Sequence, residues 1–304
     1  MSAMFQTSMH PVITGILKFI VFLGSYGVFF LSVVIIYWCI SKRKGQIIGI
    51  IILAGSWLNM IIENLFLNSQ IYISGNLSLF PSIPQNMLWL FQGQIYISLV
   101  FFIMTAYLTK KKWIYIIAAI LCPVLNFSYI TIGSYQIRDI CIQWALAAVI
   151  LCIYFIAEKK ILPLFEKASH RIRMISAALF AFLMILYRPN AEFIIPGALF
   201  LGYTTGFLLF RRYSQFDNTF YSSEKLSVKN LYMVSRVIMG LAVLAVIHIS
   251  FIKIIQIIQV FSFYIIFRYF QFALIGIWVS FGAPWLFGIL HLSPVQIKEK
   301  RKDE

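Results

Sequence analysis

Charge is what this 304-residue chain has least of. Only 12% of its residues are Asp, Glu, Lys or Arg, against about a quarter in an ordinary soluble domain. That shortage excludes a water-soluble enzyme with a single anchor, and the apolar excess excludes a disordered chain. Acids are the scarcer sign, 10 against 25 basic residues, giving a formal net charge of +15. Cysteine is scarce too. Cys39, Cys122, Cys141 and Cys152 fall in apolar runs and form no CxxC pair. They read as small buried hydrophobes, with no disulfide framework and no zinc ligands implied. The N-terminus, MSAMFQTSMHPVITG, has no basic n-region and no small-residue cleavage site, so no removable signal peptide is expected. P-loop, GxSxG, HExxH and Rossmann glycine patterns are missing as well, and neither a cofactor nor a metal is implied.

Apolar residues make up 61% of the chain, with a mean hydropathy of +0.89. About nine spans of about 20 residues would house that excess, so the expected fold is an all-α polytopic membrane helix bundle. Apolar runs place spans near residues 20–40, 46–67, 86–109, 113–131, 139–157, 172–187, 191–210, 231–252 and 269–291. Basic residues fall on every second connector: Lys42, Arg43 and Lys44; Lys110, Lys111 and Lys112; Lys159, Lys160, Lys167, Arg171 and Arg173; Arg211, Arg212, Lys225 and Lys229; and Lys298, Lys300, Arg301 and Lys302 in the tail. The positive-inside rule then puts the N-terminus outside and the C-terminus in the cytoplasm, and it assigns the positive charge to loops, with no nucleic-acid partner. The Lys- and Ile-rich composition fits a bacterial inner membrane. The one long polar connector divides a membrane domain, 1–210, from a two-helix extension with a basic tail, 231–304, by a cytoplasmic connector at 211–230.

Isolated charges inside membranes are costly and face protein or water. Here they gather toward the expected outer face: Glu63 late in the second span, Arg138 and Asp139 at the start of the fifth, Arg188 and Glu192 around the sixth-to-seventh connector. Ser82-Ile83-Pro84-Gln85 has the S-x-x-Q form of a capping box, with Pro84 tolerated in the first turn. Its ordinary role is helix initiation; its free amides also offer an anion a seat. Ser82, Gln85, Arg138, Asp139 and Arg188 are thus the candidate phosphate- or lipid-binding residues. The plainer roles are a snorkelling Arg138, an Arg188–Glu192 pair, and Asp139 as helix cap or arginine partner. Of the four histidines, His10 lies in the leader, His170 and His291 lie toward the cytoplasm, and His248 lies near the outer end of the eighth span. A lone His in an apolar helix is ordinarily a packed polar residue. Gly202-Tyr-Thr-Thr-Gly206 fits a close-packing GxxxG, a pattern that also arises by chance.

Three segments then stand in order: LNMIIENLFLNSQI ending the second span, FPSIPQ before the third, and SYITIGSYQIRD opening the fifth. With GALFLGYTTGFLLFRRYSQFD and FALIGIWVSFGAPWLF further on, they resemble the type 2 phosphatidic acid phosphatase superfamily, which includes lipid phosphate phosphatases and vanadium haloperoxidase-like proteins. The phosphatase-like core covers about residues 24–157. Pro81, Ser82, Ser128, Gly133 and Asp139 match the family's motifs. Glu63 stands where the family has Lys, Gln70 and Ile71 replace Arg-Pro, and Ile83 and Pro84 replace Gly and His. Tyr129 replaces Arg, and Tyr135 replaces the His that attacks phosphorus.

The resemblance implies a phosphoric monoester hydrolase, but the replacements oppose its chemistry. A phosphohistidine mechanism needs an imidazole of near-neutral pKa, whereas free tyrosine titrates at about 10. Pro84 has no proton to give a leaving group. Glu63 brings negative charge where phosphoryl transfer needs a cationic clamp. The expectation is an inactive pseudophosphatase that binds a lipid phosphate or a partner at its outer face. An active lipid-phosphate phosphatase acting on phosphatidic acid, phosphatidylglycerol phosphate or undecaprenyl pyrophosphate would require a site rebuilt from Arg138, Arg188, Asp139 and His248. A lipid or small-anion transporter would use Glu63 as a coupling group, but no inverted repeat supports it.

Overall fold

The structure, a computed structural model, describes residues 11–66, 95–131, 135–186, 191–213, 226–257, 261–290 and 292. The chain forms helices α1 (Pro11–Leu23), α2 (Tyr26–Ile35, continuing as a π-helical turn over Ile36–Ile40), α3 (Lys42–Phe66), α4 (Ile95–Thr109), α5 (Trp113–Thr131) and α6 (Ile137–Lys160). These are followed by α7 (Leu162–Lys167), α8 (His170–Leu186), α9 (Ala191–Tyr213) and α10 (Leu226–Ile257). The last two are α11 (Phe261–Ile277, continuing as a π-helical turn over Trp278–Gly282) and α12 (Ala283–Ile289).

Among the described residues, five stretches are long and apolar enough to cross a membrane: Lys42–Ile62, Trp113–Thr131, Ile137–Lys160, Val228–Ile255 and Phe263–Ile289. They coincide with five of the expected spans. Tyr26–Ile40, Ile95–Thr109 and Ile194–Phe210 are apolar but shorter, and the first part of the 86–109 span lies outside the described residues. The 172–187 run falls on α8, whose first turn carries His170, Arg171 and Arg173. One difference is at the start. The leader before the first span is helical from Pro11, and the chain breaks at Gly24 and Ser25 before α2 begins. Gly24 sits there because a Cβ would come within 2.7 Å of Leu125 Cδ2 and 3.1 Å of the Tyr129 hydroxyl.

The chain divides into two compact units, Met1–Val33, Ile47–Ser169 and Met184–Gly197 in the first, and Val34–Gln46, His170–Leu183 and Ala198–Glu304 in the second. In the first unit α4 is the central element. It packs on α5 and α6, and α1 packs on α5. Ile95, Tyr96, Ile97, Ser98, Val100, Phe101 and Met104 are all buried, so the first turns of α4 are covered on every side. Between α4 and α5 the turn is only Lys110–Lys112, and Lys110 takes the left-handed φ of 58° that ends many helices. Of the cysteines, Cys39 and Cys122 are buried as expected, whereas Cys141 and Cys152 on α6 are exposed, and all four are free thiols. Cys141 and Cys152 both lie on the apolar face of α6 that is left uncovered among the described residues.

The second unit is held by its two π-helical turns. A π turn widens the helix and displaces carbonyls from the regular ladder. Those displaced carbonyls meet side-chain donors: the Tyr37 hydroxyl donates to Ser280 O at 2.8 Å and Trp38 Nε1 to Val279 O at 2.9 Å. Trp278 Nε1 donates to Gly240 O at 3.0 Å, and the Trp38 ring lies against Gly240, where a Cβ would strike it. Arg236, fully buried, donates from Nε and Nη2 to Leu292 O at 2.8 and 2.7 Å and from Nη1 to Trp38 O at 3.3 Å. One cation thus gathers carbonyls at the ends of two helical segments, where the backbone dipole favours positive charge.

Helices α9 and α11 touch through backbone. A Cβ on Gly276 would lie 2.6 Å from Tyr203 N and 2.7 Å from Leu199 O, one on Gly202 would strike Ala273 O, and one on Gly206 would strike Ser280 Oγ. The GYTTG pattern is a packing motif here, as small residues allow in membranes. Gly202→Val is expected to destabilise the protein by about 1–3 kcal/mol or more, because it overpacks backbone that has no room to give. Gly15, where an added Cβ would meet nothing within 4 Å, provides the contrast: Gly15→Ala gains about 0.5–1 kcal/mol from helix entropy. Thermal unfolding of both variants in one detergent checks the opposite signs. Arg236→Met should lower stability further than Arg236→Lys, since lysine still supplies a charge to the two carbonyls but not the fork.

Candidate functional site

Helix α6 begins at Ile137 with Gln136 as its N-cap in extended conformation. Asp139, at the third helical position, accepts a hydrogen bond from Gln136 N through Oδ2 at 2.9 Å, closing the end of the helix. The carboxylate is buried, with the residue 4% exposed. Its other oxygen, Oδ1, has no hydrogen-bond partner among the described residues and lies 3.6 Å from Arg138 Nε. Arg138 itself reaches outward, its side chain 66% exposed. Of the roles expected for Asp139, helix capping and arginine pairing both occur, shared between its two oxygens.

Asp139 heads the buried face of α6, which continues as Gln143, Leu146, Ala147 and Ile150 at helical spacing. Gln143, completely buried, accepts from Ile95 N at 2.7 Å and Tyr96 N at 3.3 Å through Oε1, so it serves the first described amides of α4. Tyr96 continues the polar line: its hydroxyl donates to Ser56 Oγ at 2.6 Å, and Ser56 donates to Ile52 O at 2.8 Å. Gly55 makes the room, since a Cβ there would lie 3.0 Å from the Tyr96 ring. Asn59, one turn beyond, is fully buried as well. A polar seam therefore runs through the first unit from Asp139 on α6 across α4 to α3.

The two tyrosines expected at the third motif come together beside this seam. Tyr129 and Tyr135 stack edge to face with ring centroids 5.3 Å apart, in a buried cluster with Val21, Ile95 and Leu125. The Tyr129 hydroxyl is directed to Val21 O at 3.3 Å. Ser128 is buried and donates back to Val124 O at 2.8 Å, the usual use of a serine inside a membrane helix. Glu63 lies on α3, with only its backbone described. Gln70, Ser82, Pro84, Gln85 and Arg188 lie outside the described residues, and of Glu192 only the helical backbone is described.

His248 falls in the second unit, and Asp139 in the first. The His248 ring is buried against Gln271, with Gln271 Nε2 2.9 Å from Nδ1. Sequence reasoning passed over Gln143, Ser56 and Tyr96 because uncharged polar residues in apolar runs carry no distinctive spacing. Arg236 and Arg268 had a clear signal that went unused: each is a cation in or beside an apolar run, in a stretch with no Asp or Glu from Lys225 to Lys298. Among the described residues no group of three or more His, Cys, Asp or Glu side chains is placed to hold a metal ion.

The arrangement offers one exposed guanidinium fixed beside a buried carboxylate at a helix start. It can hold an anion with the arginine's outward N–H groups. Asp139→Ala should lower stability by about 1 kcal/mol through loss of the cap, and Asp139→Asn by less, since an amide oxygen can still accept from Gln136 N. Chemical unfolding of the two variants measures the difference.

Residues 194–295 match a family described as PAP2 superfamily phosphatase, transmembrane extension. The match covers α9 to α12 apart from the first residues of α9, and it takes in both late segments singled out in the sequence. The match supports membership of the PAP2 superfamily for this integral membrane protein, and the three earlier segments resemble the same superfamily. Neither curated proteins nor solved structures give a match.

Proposed function

We propose that this member of the PAP2 superfamily is a pseudophosphatase, which binds a lipid phosphate at the expected outer face without hydrolysing it. The observation that carries the reading is the packing of Tyr129 and Tyr135. Where the resemblance aligns an arginine and the attacking histidine, two phenol rings are buried against each other and against Val21, Ile95 and Leu125. A ring in that setting is a core element, and its hydroxyl is a poor nucleophile at neutral pH. Asp139, aligned with the residue that would orient the histidine, instead closes the N-terminus of α6.

Binding is supported by Arg138. Its Nε faces Asp139 at 3.6 Å while most of the side chain is exposed, which leaves the two terminal nitrogens for a bidentate contact with phosphate. With most of its side chain in solvent, Arg138 can serve a ligand while its Nε stays beside the buried carboxylate. The reading extends to the orientation with the N-terminus outside, to a bacterial inner membrane as the location, and to a lipid, with Ser82, Gln85 and Arg188 as further binding groups.

Purified protein in detergent should release no phosphate above a protein-free blank from phosphatidic acid, phosphatidylglycerol phosphate or undecaprenyl pyrophosphate. It should still retain phosphatidic acid, and Arg138→Gln should weaken that retention about tenfold. Phosphate release that disappears in Asp139→Ala would replace this reading with an active enzyme built on a rearranged site.

A further inference from the structure

Helix α10 is inside out. Along Val228–Ile255 its buried positions are Arg236, Gly240 and His248, while Val234, Ile238, Val246 and Ile249 are exposed. Arg236 and Gly240 have their partners in the π-turn packing. His248 has a different one, on α11. The Gln271 side chain lies 2.9 Å from His248 Nδ1 through Nε2 and 3.1 Å from Arg268 Nη1 through Oε1.

The protons in this chain can be assigned by elimination. A guanidinium only donates, so Gln271 Oε1 must be the atom facing Arg268. The amide NH2 of Gln271 then faces His248 and donates to Nδ1, which therefore carries no proton. A neutral imidazole with an accepting Nδ1 has its proton on Nε2. The relay thus runs in one direction, Arg268 to Gln271 to His248, and ends on a Nε2–H donor. That donor is buried, in a residue 8% exposed, and has no acceptor among the described residues. Leaving a buried donor unmatched is costly, and more so inside a bilayer.

The charge environment selects the missing acceptor. Arg268 is 4% exposed, lies over the rings of Tyr264 and Phe272 at 5.8 and 5.5 Å, and is close enough to His248 to act on it electrostatically. Among the described residues the second unit contains no Asp or Glu. His248 stands nine residues before the end of α10 and Arg268 seven after the start of α11, roughly 10–14 Å along each axis from the ends joined by residues 258–260. That depth lies near the boundary of hydrocarbon and headgroups in a bilayer with a core of about 30 Å.

We propose that His248 Nε2, backed by Arg268 through Gln271, binds an anionic phosphate oxygen at this depth, carried by a lipid headgroup or by free phosphate. This site is independent of the one at Arg138, because its residues belong to the transmembrane extension. Gln271 is a positioning residue: it fixes the tautomer and transmits the polarisation, and it does not itself touch the ligand.

The test uses the full chain, labelled with 15N-histidine, in detergent micelles. Three probes are titrated: short-chain phosphatidic acid, inorganic phosphate, and the matching diacylglycerol, which has no phosphate. Phosphatidic acid or phosphate should shift one Nε2 resonance among the four histidines, the one missing from His248→Gln. A shift with phosphatidic acid alone identifies a lipid, and a shift with phosphate identifies the free ion. The His248 shift should be unchanged in Arg138→Gln, and in that background the remaining retention of phosphatidic acid should weaken about tenfold or more on adding His248→Phe and survive His248→Gln, which retains a donor there. Gln271→Leu should weaken binding and move the His248 Nδ1 and Nε2 resonances toward a mixture of tautomers. The proposal is overturned if neither phosphate probe shifts the His248 resonance, or if diacylglycerol shifts it equally. Loss of binding only in Arg138→Gln would overturn it while leaving the first site intact. Because the shifts are read in the unmodified protein, the result stands even where His248→Phe fails to fold.

Discussion

Within hydrocarbon, water is not there to satisfy a carbonyl that has left its helical ladder, so every irregular turn must find its donors in the protein. The two π-helical turns of the second unit are built on that constraint. Tyr37 and Trp38, carried by the first turn, donate to Ser280 and Val279 in the other. Arg236 then donates to Trp38 O and Leu292 O. The glycines follow from this: Gly240 is small because Trp38 lies on it, and Gly45 because a Cβ would meet the Tyr37 backbone at 2.6 Å. The turns, the aromatic donors, the buried cation and the small residues form one arrangement.

The same constraint explains why packing in both units is specified by polar residues. Lipid tails are as apolar as leucine, so burying an apolar side chain against another helix gains little over leaving it in lipid. Helix α10 accordingly exposes Val234, Ile238, Val246 and Ile249 and buries Arg236 and His248. Helix α6 does so in part, leading its buried face with Asp139 and Gln143 before the apolar residues begin. In each helix the polar groups fix the rotation about the axis, and the apolar remainder tolerates any neighbour.

Chemically, the two units contrast. The region aligned with the phosphatase motifs holds packed phenols and a capping carboxylate, with one arginine facing out. The extension, matched by the family of PAP2 transmembrane extensions, holds buried arginine, glutamine and histidine and no acid among its described residues. On the reading proposed above, the capacity to bind an anion is retained in both places while the capacity to attack phosphorus is absent. Stabilising a phosphate takes only donors and positive charge, whereas displacing its ester takes a nucleophile, an acid and a clamp in register.

What the sequence determined by itself was the membrane character, the helical class and the positions of most helices, because hydropathy is a local property summed over about twenty residues. The Trp113–Thr131 helix coincides with its apolar run to the residue. The likeness of the two late segments to the superfamily agrees with the family match over 194–295, and the close approach of α9 and α11 was latent in GYTTG. The helix from Pro11 was missed, since its 13 residues are too short to give a span-length signal. Only the tertiary structure decided which polar residues meet. Gln143 serves α4 from 47 and 48 positions away in the chain, and Tyr37 reaches Ser280 across 243. Nothing in the spacing of uncharged donors and acceptors encodes such partners, because a hydrogen bond depends on the geometry of two atoms that the fold alone brings together.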